Sequence, residues 1–484
     1  MHSEYEAVIG LEIHTQLNTK SKLFSSAASR FGDEPNTNIS EVCTAQPGSL
    51  PVINVEAIKK AILFGLAIDA DISKLTTFDR KSYFYPDLPR GFQITQFYHP
   101  IIRNGKVTFK IDNYKKTVFI REAHLEDDTG MLKHFSTFTG IDLNRAGSPL
   151  LEIVTMPCIK TAKEASLYAM TIKLILQYLD ISDCSMEEGS LRIDANVSVK
   201  KKHEKELRPK IEIKNLNSFN FLEHAIDIEI ERQIKIYESN KNEDIRYLIK
   251  SSTYRYDSIK KDLFLMREKD SAEDYRYFPE PDLVPIVIKD ADIEFIKKSL
   301  KELPHERYEK YIDKLKLNED LASILVNDKK LSDYFEEALK DSLDPILLCN
   351  ILTIEITGKL KETNKTITSI GIPHKNIASL VNMITTNEIN KKIAKSVIDE
   401  MIKNPQKPPL EIVKENPLFK PLDDEEEIEK IVLSILSENS QSIEDFLNGK
   451  DKALGFLVGQ VMKKTKGKAS PEIVNKLILK KIKS

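Results

Sequence analysis

Carboxylates and imidazoles recur in this sequence at the two-residue spacing of a strand. The run A-V-I-G-L-E-I-H-T-Q-L (7–17) places Ile9, Leu11, Ile13 and Leu17 on one side of a period-two pattern and Glu12, His14 and Gln16 on the other. Two residues apart on a strand, Glu12 and His14 stand about 6.6 Å from each other and face the same way. The device returns in I-R-E-A-H-L-E-D-D-T-G, where Glu122, His124, Glu126 and Asp128 share a face. Together with Asp127 they crowd acidic groups that repel unless something cationic offsets them, and a metal ion is the obvious candidate. Glu152 is alone in an apolar run, where an unpaired buried carboxylate would be costly, so it must be paired or a ligand. Arg192, Asp194, Asn196 and Ser198 alternate with Ile193, Ala195, Val197 and Val199, and Glu212 and Lys214 oppose Ile211 and Ile213. One such polar strand face reads as solvated. Five segments that each bring a carboxylate favour a sheet face forming an acidic, metal-loaded pocket.

The elements that must position these groups predict an α+β chain. Residues 1–290 read as a domain built on a mixed or antiparallel sheet, with helices expected over 55–68, 162–179 and 221–237. Phe78–Phe97 matches neither regular period. It is either a clamp, in which Arg80, Lys81, Arg90, Gln93 and Gln96 hold a polyanionic or polar ligand, or an aromatic-packed loop. Asn104–Gly105 signals a hairpin turn. The prolines of Asp274–Pro285 favour a rigid extended connector, with Asp274, Tyr275, Arg276 and Tyr277 forming part of a site wall. Residues 291–403 are rich in Lys, Glu, Ile and Leu and predict a helical bundle. Lys403–Pro417 reads as a second linker, and the acidic run Asp423–Glu427 opens a small helical tail within 404–484.

Composition bounds the function. With 484 residues, 41% hydrophobic and 30% charged, the chain has enough apolar material for large cores, and its formal net charge of −3 confines any nucleic-acid surface to a local patch. Lys452–Ser484 is such a patch, with nine lysines against Glu472 alone. It is either a lysine-rich solvated face or an RNA surface, and the turn Lys463-Lys464-Thr465-Lys466-Gly467-Lys468 and the proline-rich linker favour RNA. Four scattered cysteines (Cys43, Cys158, Cys184, Cys349) argue for a reducing compartment and against a disulfide framework or cysteine zinc site. The start, M-H-S-E-Y-E, has no basic leader pattern and no apolar run is long enough to span a bilayer, so a cytoplasmic protein without membrane attachment is expected. No G-x-x-x-x-G-K-[ST] motif is present, so phosphates must be held otherwise than by a P-loop.

The segments V-I-G-L-E-I-H-T-Q-L, F-D-R-K-S-Y-F-Y-P-D-L-P, M-E-E-G-S-L-R-I-D-A-N-V-S, E-I-K-N-L-N-S-F, D-Y-R-Y-F-P-E-P-D and G-F-L-V-G-Q-V-M-K resemble those of the GatB family, the B subunits of tRNA-dependent amidotransferases. The resemblance runs nearly end to end. It implies a catalytic cradle domain, a helical domain and a small YqeY-like tail, and the charge concentrated at Lys463, Lys464, Lys466 and Lys468 in that tail is expected to bind tRNA. It implies ATP- and Mg²⁺-dependent phosphorylation of the glutamyl or aspartyl carboxylate on a misacylated tRNA, followed by amidation with ammonia from a partner. The partners are an amidase-type glutaminase subunit and a small third subunit in a heterotrimer. By this resemblance Glu12, His14, Glu126, Asp127 and Glu152 hold the metal, and Glu12, His14, Asp194, Glu212 and Lys214 serve catalysis. Arg80, Lys81, Tyr83, Tyr85, Gln93, Gln96, Arg192, Asn196, Asn215, Asn217 and Arg276 bind ATP or substrate. Two departures stand out. The acidic motif reads Glu-Asp-Asp where the family usually has Glu-Glu-Asp, so Asp127 is one methylene short and water could complete its ligation. Ser25, Ser26 and Cys43 stand where some members have a zinc-binding cysteine cluster, so no zinc is expected. A two-metal phosphoesterase or nuclease, and a non-catalytic tRNA-binding scaffold, are the competing readings; dependence on ATP separates the three.

Overall fold

The structure is a computed structural model that describes residues 4–240, 244–268, 275–361, 365–419, 425–448, 450–465 and 468–483. Asp274, Asp423 and Lys466, each singled out by the sequence, lie outside the described residues. The chain divides into two compact units, 1–305 and 306–484.

In the first unit the polar–apolar alternation becomes the centre of a mixed sheet. Among the described residues twelve strands form it, with Tyr5–Gln16 between Pro149–Thr155 and Leu191–Lys201, both antiparallel to it. Tyr114–Asp127 continues the sheet beyond Pro149–Thr155, and Ile211–Lys214 beyond Leu191–Lys201. Ile211–Lys214 pairs parallel with Ser252–Asp257. The apolar members of these strands, including Ile9, Leu11, Ile13, Leu151, Ile153, Ala195 and Val197, are fully buried in the unit's large core cluster. Helices Val55–Ala67, Ala162–Tyr178 and Phe219–Ser239 supply the rest of that core. Each starts at a side-chain cap: Asn54, Thr161 and Ser218 accept from the backbone N–H of Glu56, Glu164 and Phe221. Because the helices take the apolar side of the central strands, the carboxylates and imidazoles are left on the other.

Two local readings are corrected by the sheet. Phe78–Phe97 contains a hairpin, Asp79–Ser82 paired with Phe92–Thr95, whose strands are too short to show a period. The turn expected at Asn104–Gly105 instead falls inside the strand Ile102–Ile111, and the pairing with Tyr114–Asp127 runs through it without a register shift. Arg103 opposes Glu122 and Gly105 opposes Ile120, while Asn104 takes φ 56°. Gly105 is needed there because a Cβ would lie 2.6 Å from Ile68 Cδ1. The chain reverses at Asp112–Asn113, between Ile111 and Tyr114.

The second unit is helical, and no strand occurs among its described residues. Helices Glu319–Asn327, Lys329–Leu339, His374–Thr385 and Lys391–Lys403 bury Leu325, Phe335, Val381 and Val397. Lys403–Pro417 is not a plain linker. Pro409 begins a helix, Pro409–Glu415, at the first position where proline fits, and Ile412 and Val413 are buried. A separate apolar cluster, including Ile428, Val432, Leu457, Val461, Val474 and Ile478, joins Glu425–Glu438, Asp451–Lys464 and Pro471–Lys483. Among the described residues no helix is long and apolar enough to cross a membrane.

Candidate active site

The register of the sheet assembles the polar face into rows. Arg192 opposes His14, His14 opposes Glu152, and Glu152 opposes His124, so four strands contribute one line of side chains. In the neighbouring row Asp194 opposes Glu12, and in the row beyond it Glu212 opposes Asn196. Two donor sets result. Ligand atoms of His14, Glu126 and Glu152 lie within 4.8 Å of one another, as do those of Glu12, Asp194 and Glu212.

Glu152 is gripped by two imidazoles, His14 Nε2 at 3.4 Å and His124 Nε2 at 3.2 Å. Burial pushes its carboxyl up, but the two histidines more than offset this and hold it well below the usual carboxylate range. Burial pushes both imidazoles down, and Glu152 raises them further than that. In the second set Lys214 Nζ lies 2.5 Å from Asp194 and 3.3 Å from Glu212, while Asn196 Nδ2 donates to Glu12 at 2.9 Å. Lys81 Nζ stands 3.4 Å from Glu126. Both ammonium groups are raised despite burial, by the carboxylates beside them. Buried His124 Nδ1, Asn196 Oδ1 and Arg192 Nε have no hydrogen-bond partner among the described residues. Hard oxygen donors with one imidazole, and an unused amide oxygen beside them, fit a hard divalent cation.

The cleft beneath these groups has a volume of about 430 Å³. His14, Lys81, Tyr83, Gln93, Glu126, Arg192, Asp194, Lys214, Asn215 and Asn217 line it. Ten of the sequence-predicted residues therefore meet at one opening. Glu12, Glu152 and Glu212 join them through the two donor sets, and Asn196 through Glu12.

Other predicted residues are placed elsewhere. Asp127 follows Glu126 on the strand and so points to the opposite side. It is fully buried, paired with Arg90, and accepts from the Ile94 N–H at 2.7 Å. Arg80 is held by Glu280 at 2.8 Å and Asp282 at 3.1 Å, with its guanidinium 4.3 Å over Phe92. Gln96 is buried, donating to Thr76 Oγ1 and accepting from the Leu125 N–H. Of the suggested clamp, Lys81 and Gln93 reach the cleft, whereas Arg80, Arg90 and Gln96 hold the hairpin in place. Tyr85 and Arg276 are exposed. In the tail Lys463 is exposed, Lys464 lies 3.3 Å from Glu438, and Lys468 donates to the Pro417 carbonyl.

His124 and Asp128 have larger parts in the site than the sequence assigned them. Asp128 receives Arg192 Nη2 at 2.9 Å and Gln16 Nε2 at 3.1 Å, with Arg145 at 3.5 Å. Its burial is outweighed by the two guanidiniums, which hold the carboxyl low. The spacing H-x-E at 124–126 mirrors E-x-H at 12–14 and was a usable signal, but its meaning required the pairing of 124 with 152.

Two donor sets of a kind that can hold a metal ion meet at one cleft, flanked by two lysines and an arginine, an arrangement suited to an enzyme acting on anionic substrates. The comparisons with known proteins narrow that class. Residues 7–294 match the family model of the GatB/GatE catalytic domain, and residues 333–482 match that of the GatB domain. The chain is 57% identical over 481 residues to the aspartyl/glutamyl-tRNA(Asn/Gln) amidotransferase B subunit of Protochlamydia amoebophila, covering 99% of this chain and 97% of that one. It is 52% identical to the protein of that name from Chlamydia pneumoniae, covering 99% and 98%. The chain belongs to the GatB family and is an amidotransferase B subunit, one chain of a multi-subunit enzyme.

Proposed function

We propose that this cleft phosphorylates the side-chain carboxylate of glutamate or aspartate carried on a misacylated tRNA, using ATP and Mg²⁺, and presents the acyl phosphate to ammonia. The carboxylate attacks the γ-phosphorus and ADP leaves; ammonia then displaces inorganic phosphate to give the amide. The observation that carries this reading is the pair of donor sets, His14–Glu126–Glu152 and Glu12–Asp194–Glu212, bracketed by Lys81, Lys214 and Arg192. Phosphoryl transfer asks a protein chiefly for positioning and charge neutralisation. Glu12, His14, Glu126, Glu152, Asp194 and Glu212 would hold Mg²⁺, which would supply positive charge against that developing on the transferred phosphoryl group. Lys81 and Lys214 keep the carboxylates compensated before binding and can turn to phosphate oxygens afterwards. Arg192, fixed by Asp128, offers a planar guanidinium to the same anions. Gln93, Asn215 and Asn217 supply neutral donors that orient the acyl group.

The ammonia comes from an amidase-type glutaminase partner, with a small third subunit completing the assembly in the cytoplasm. This chain has no cysteine beside a histidine to serve as a glutaminase nucleophile. Three domains, 1–290, 291–403 and 404–484, divide the work, with Lys463, Lys464, Lys466 and Lys468 of the last holding tRNA phosphates.

The test is ATP-dependent activation of aminoacyl-tRNA by the assembled enzyme. Glu12→Ala, His14→Ala and Glu152→Ala should each abolish ATP-dependent amidation while tRNA affinity changes little. Wild-type turnover in Glu12→Ala and Glu152→Ala would end the metal reading, and RNA cleavage without ATP would replace it with a phosphoesterase.

A further inference from the structure

Six aromatic rings gather near the cleft as a pair and a run of four. Tyr85 lies beside Tyr83, ring centroids 5.8 Å apart. Arg267 Nη2 donates to the Tyr275 hydroxyl at 3.5 Å. Tyr275 is followed by Tyr277 at 6.1 Å, Tyr277 stacks on Phe97 at 3.9 Å and 8°, and Phe97 meets Tyr98 edge-on at 5.0 Å. One ring of the pair, and the cation over the first ring of the run, border the cleft. Tyr83 and Lys81 line it, and the Lys81 ammonium sits 5.4 Å over the Tyr275 ring. The ends are open: Tyr85, Phe97 and Tyr98 expose 52%, 50% and 48% of their surface.

A cluster built only for packing buries its rings, because each full burial is worth a few kcal/mol. Here half the surface of three rings is left to water while their framework is held firmly. Phe278–Pro279 pairs with Asp79–Arg80, Arg80 is clamped by Glu280 and Asp282, and Asp79 accepts from the N–H groups of Phe97 and Tyr98. Cations accompany the rings: Lys81, Arg267, exposed Arg276, and Arg103, whose Nη2 donates to the Tyr98 carbonyl. Asp79 and Glu280, two acids that hold this framework, are buried and satisfied.

Rings interleaved with cations take single-stranded nucleic acid, whose bases stack while phosphates meet the charges. A lone nucleotide covers one or two rings, whereas a run of four with a further pair beside the cleft suits several successive bases. We propose that this rail stacks the unpaired 3′-terminal bases of the RNA substrate, so that the terminal aminoacyl ester falls into the cleft. The inference rests on the aminoacyl-tRNA reading above and adds where the strand end lies.

The probe is a hairpin RNA with a short unpaired 3′ end bearing terminal 2-aminopurine, titrated into the full-length chain in its assembled enzyme and read by fluorescence quenching. Phe97→Leu and Tyr85→Leu remove a ring while keeping apolar cover, and Phe97→Tyr keeps the ring. Each leucine variant should weaken binding of this RNA about 5- to 100-fold, leave a blunt-ended hairpin and the KM for ATP unchanged, and keep the wild-type melting temperature. Phe97→Tyr should behave as wild type. Unchanged affinity in both leucine variants overturns the rail. A loss confined to ATP makes it a nucleotide site, and an equal loss for blunt RNA makes it a general phosphate surface; either outcome also overturns it. If the wild-type enzyme lacks ATP-dependent amidation, it is the aminoacyl-tRNA reading that fails, which the binding arms do not depend on.

Discussion

At the residue scale, the two imidazoles that hold Glu152 stand in different surroundings. His14 belongs to a set of converging donors, whereas His124 reaches the same carboxylate from the next strand and leaves its Nδ1 without a partner among the described residues. A carboxylate that binds metal works best when its remaining oxygen is fixed by a neighbour, and loss of such a neighbour typically costs 10- to 100-fold in metal affinity. His124→Ala should therefore weaken Mg²⁺ binding to the full chain by about that factor, measured by calorimetric titration. Raised Mg²⁺ should restore much of the lost turnover, an outcome that a misfolded variant cannot show. His124→Gln, which keeps a donor near Glu152, should lose less. Unchanged Mg²⁺ affinity in both variants would remove His124 from the site.

At the element scale, the loop 143–148 is anchored by a buried cation. The Lys22 ammonium, 1% exposed, donates to the carbonyls of Ala146 at 2.6 Å and Leu143 at 3.2 Å and lies 3.4 Å from Cys43 Sγ. Burial pushes this ammonium down, with Cys43 and nearby carboxylates opposing. The same loop exchanges backbone hydrogen bonds with Asp128, Gly147 N–H to the Asp128 carbonyl and Asp128 N–H to the Ser148 carbonyl. Lys22→Met keeps the bulk but takes the ammonium donor from the Ala146 carbonyl, while Leu143 keeps the Ala146 N–H, a loss of about 1–3 kcal/mol. Denaturant unfolding of the wild-type and Lys22→Met chains should show that difference. The damage should reach the cleft through Asp128 and Arg192 as a raised KM for ATP, and a variant with unchanged unfolding midpoint would show that water replaces the ammonium.

At the scale of the whole molecule, the two units carry their own cores, and the tail has an apolar cluster of its own around Val432, Leu457 and Val474. A chain ended at Phe419 should keep the first unit's fold and its metal affinity. It should also lose the cations of Lys452–Ser484, nine lysines against one glutamate. The KM for aminoacyl-tRNA should rise, and the dependence of binding on salt should flatten by about 0.7–0.9 in logarithmic slope for each phosphate contact removed. Filter binding across a salt series reads both. An unchanged slope would mean that those lysines only solvate a helical face.

The sequence alone determined whatever depends on neighbours along the chain. Alternation at 9–16 and 192–199 put carboxylates on one strand face and aliphatic groups on the other, and helical spacing over 55–68 and 162–179 located two of the helices that cover the apolar side. The motifs also carried the family. What depends on pairing between distant strands was decided only by the tertiary structure. His124 meets Glu152, and Glu12 meets Asp194, through registers that span from 28 to more than 180 residues of chain. A one-residue step along Tyr114–Asp127 sends Glu126 into the cleft and Asp127 into the core beside Arg90. Arg80 and Gln96 have the residue types of ligand-binding groups, yet they became struts because Glu280 and the Leu125 N–H, far off in sequence, fold against them. Period and composition report which face a side chain takes; only the assembled sheet determines what stands opposite it.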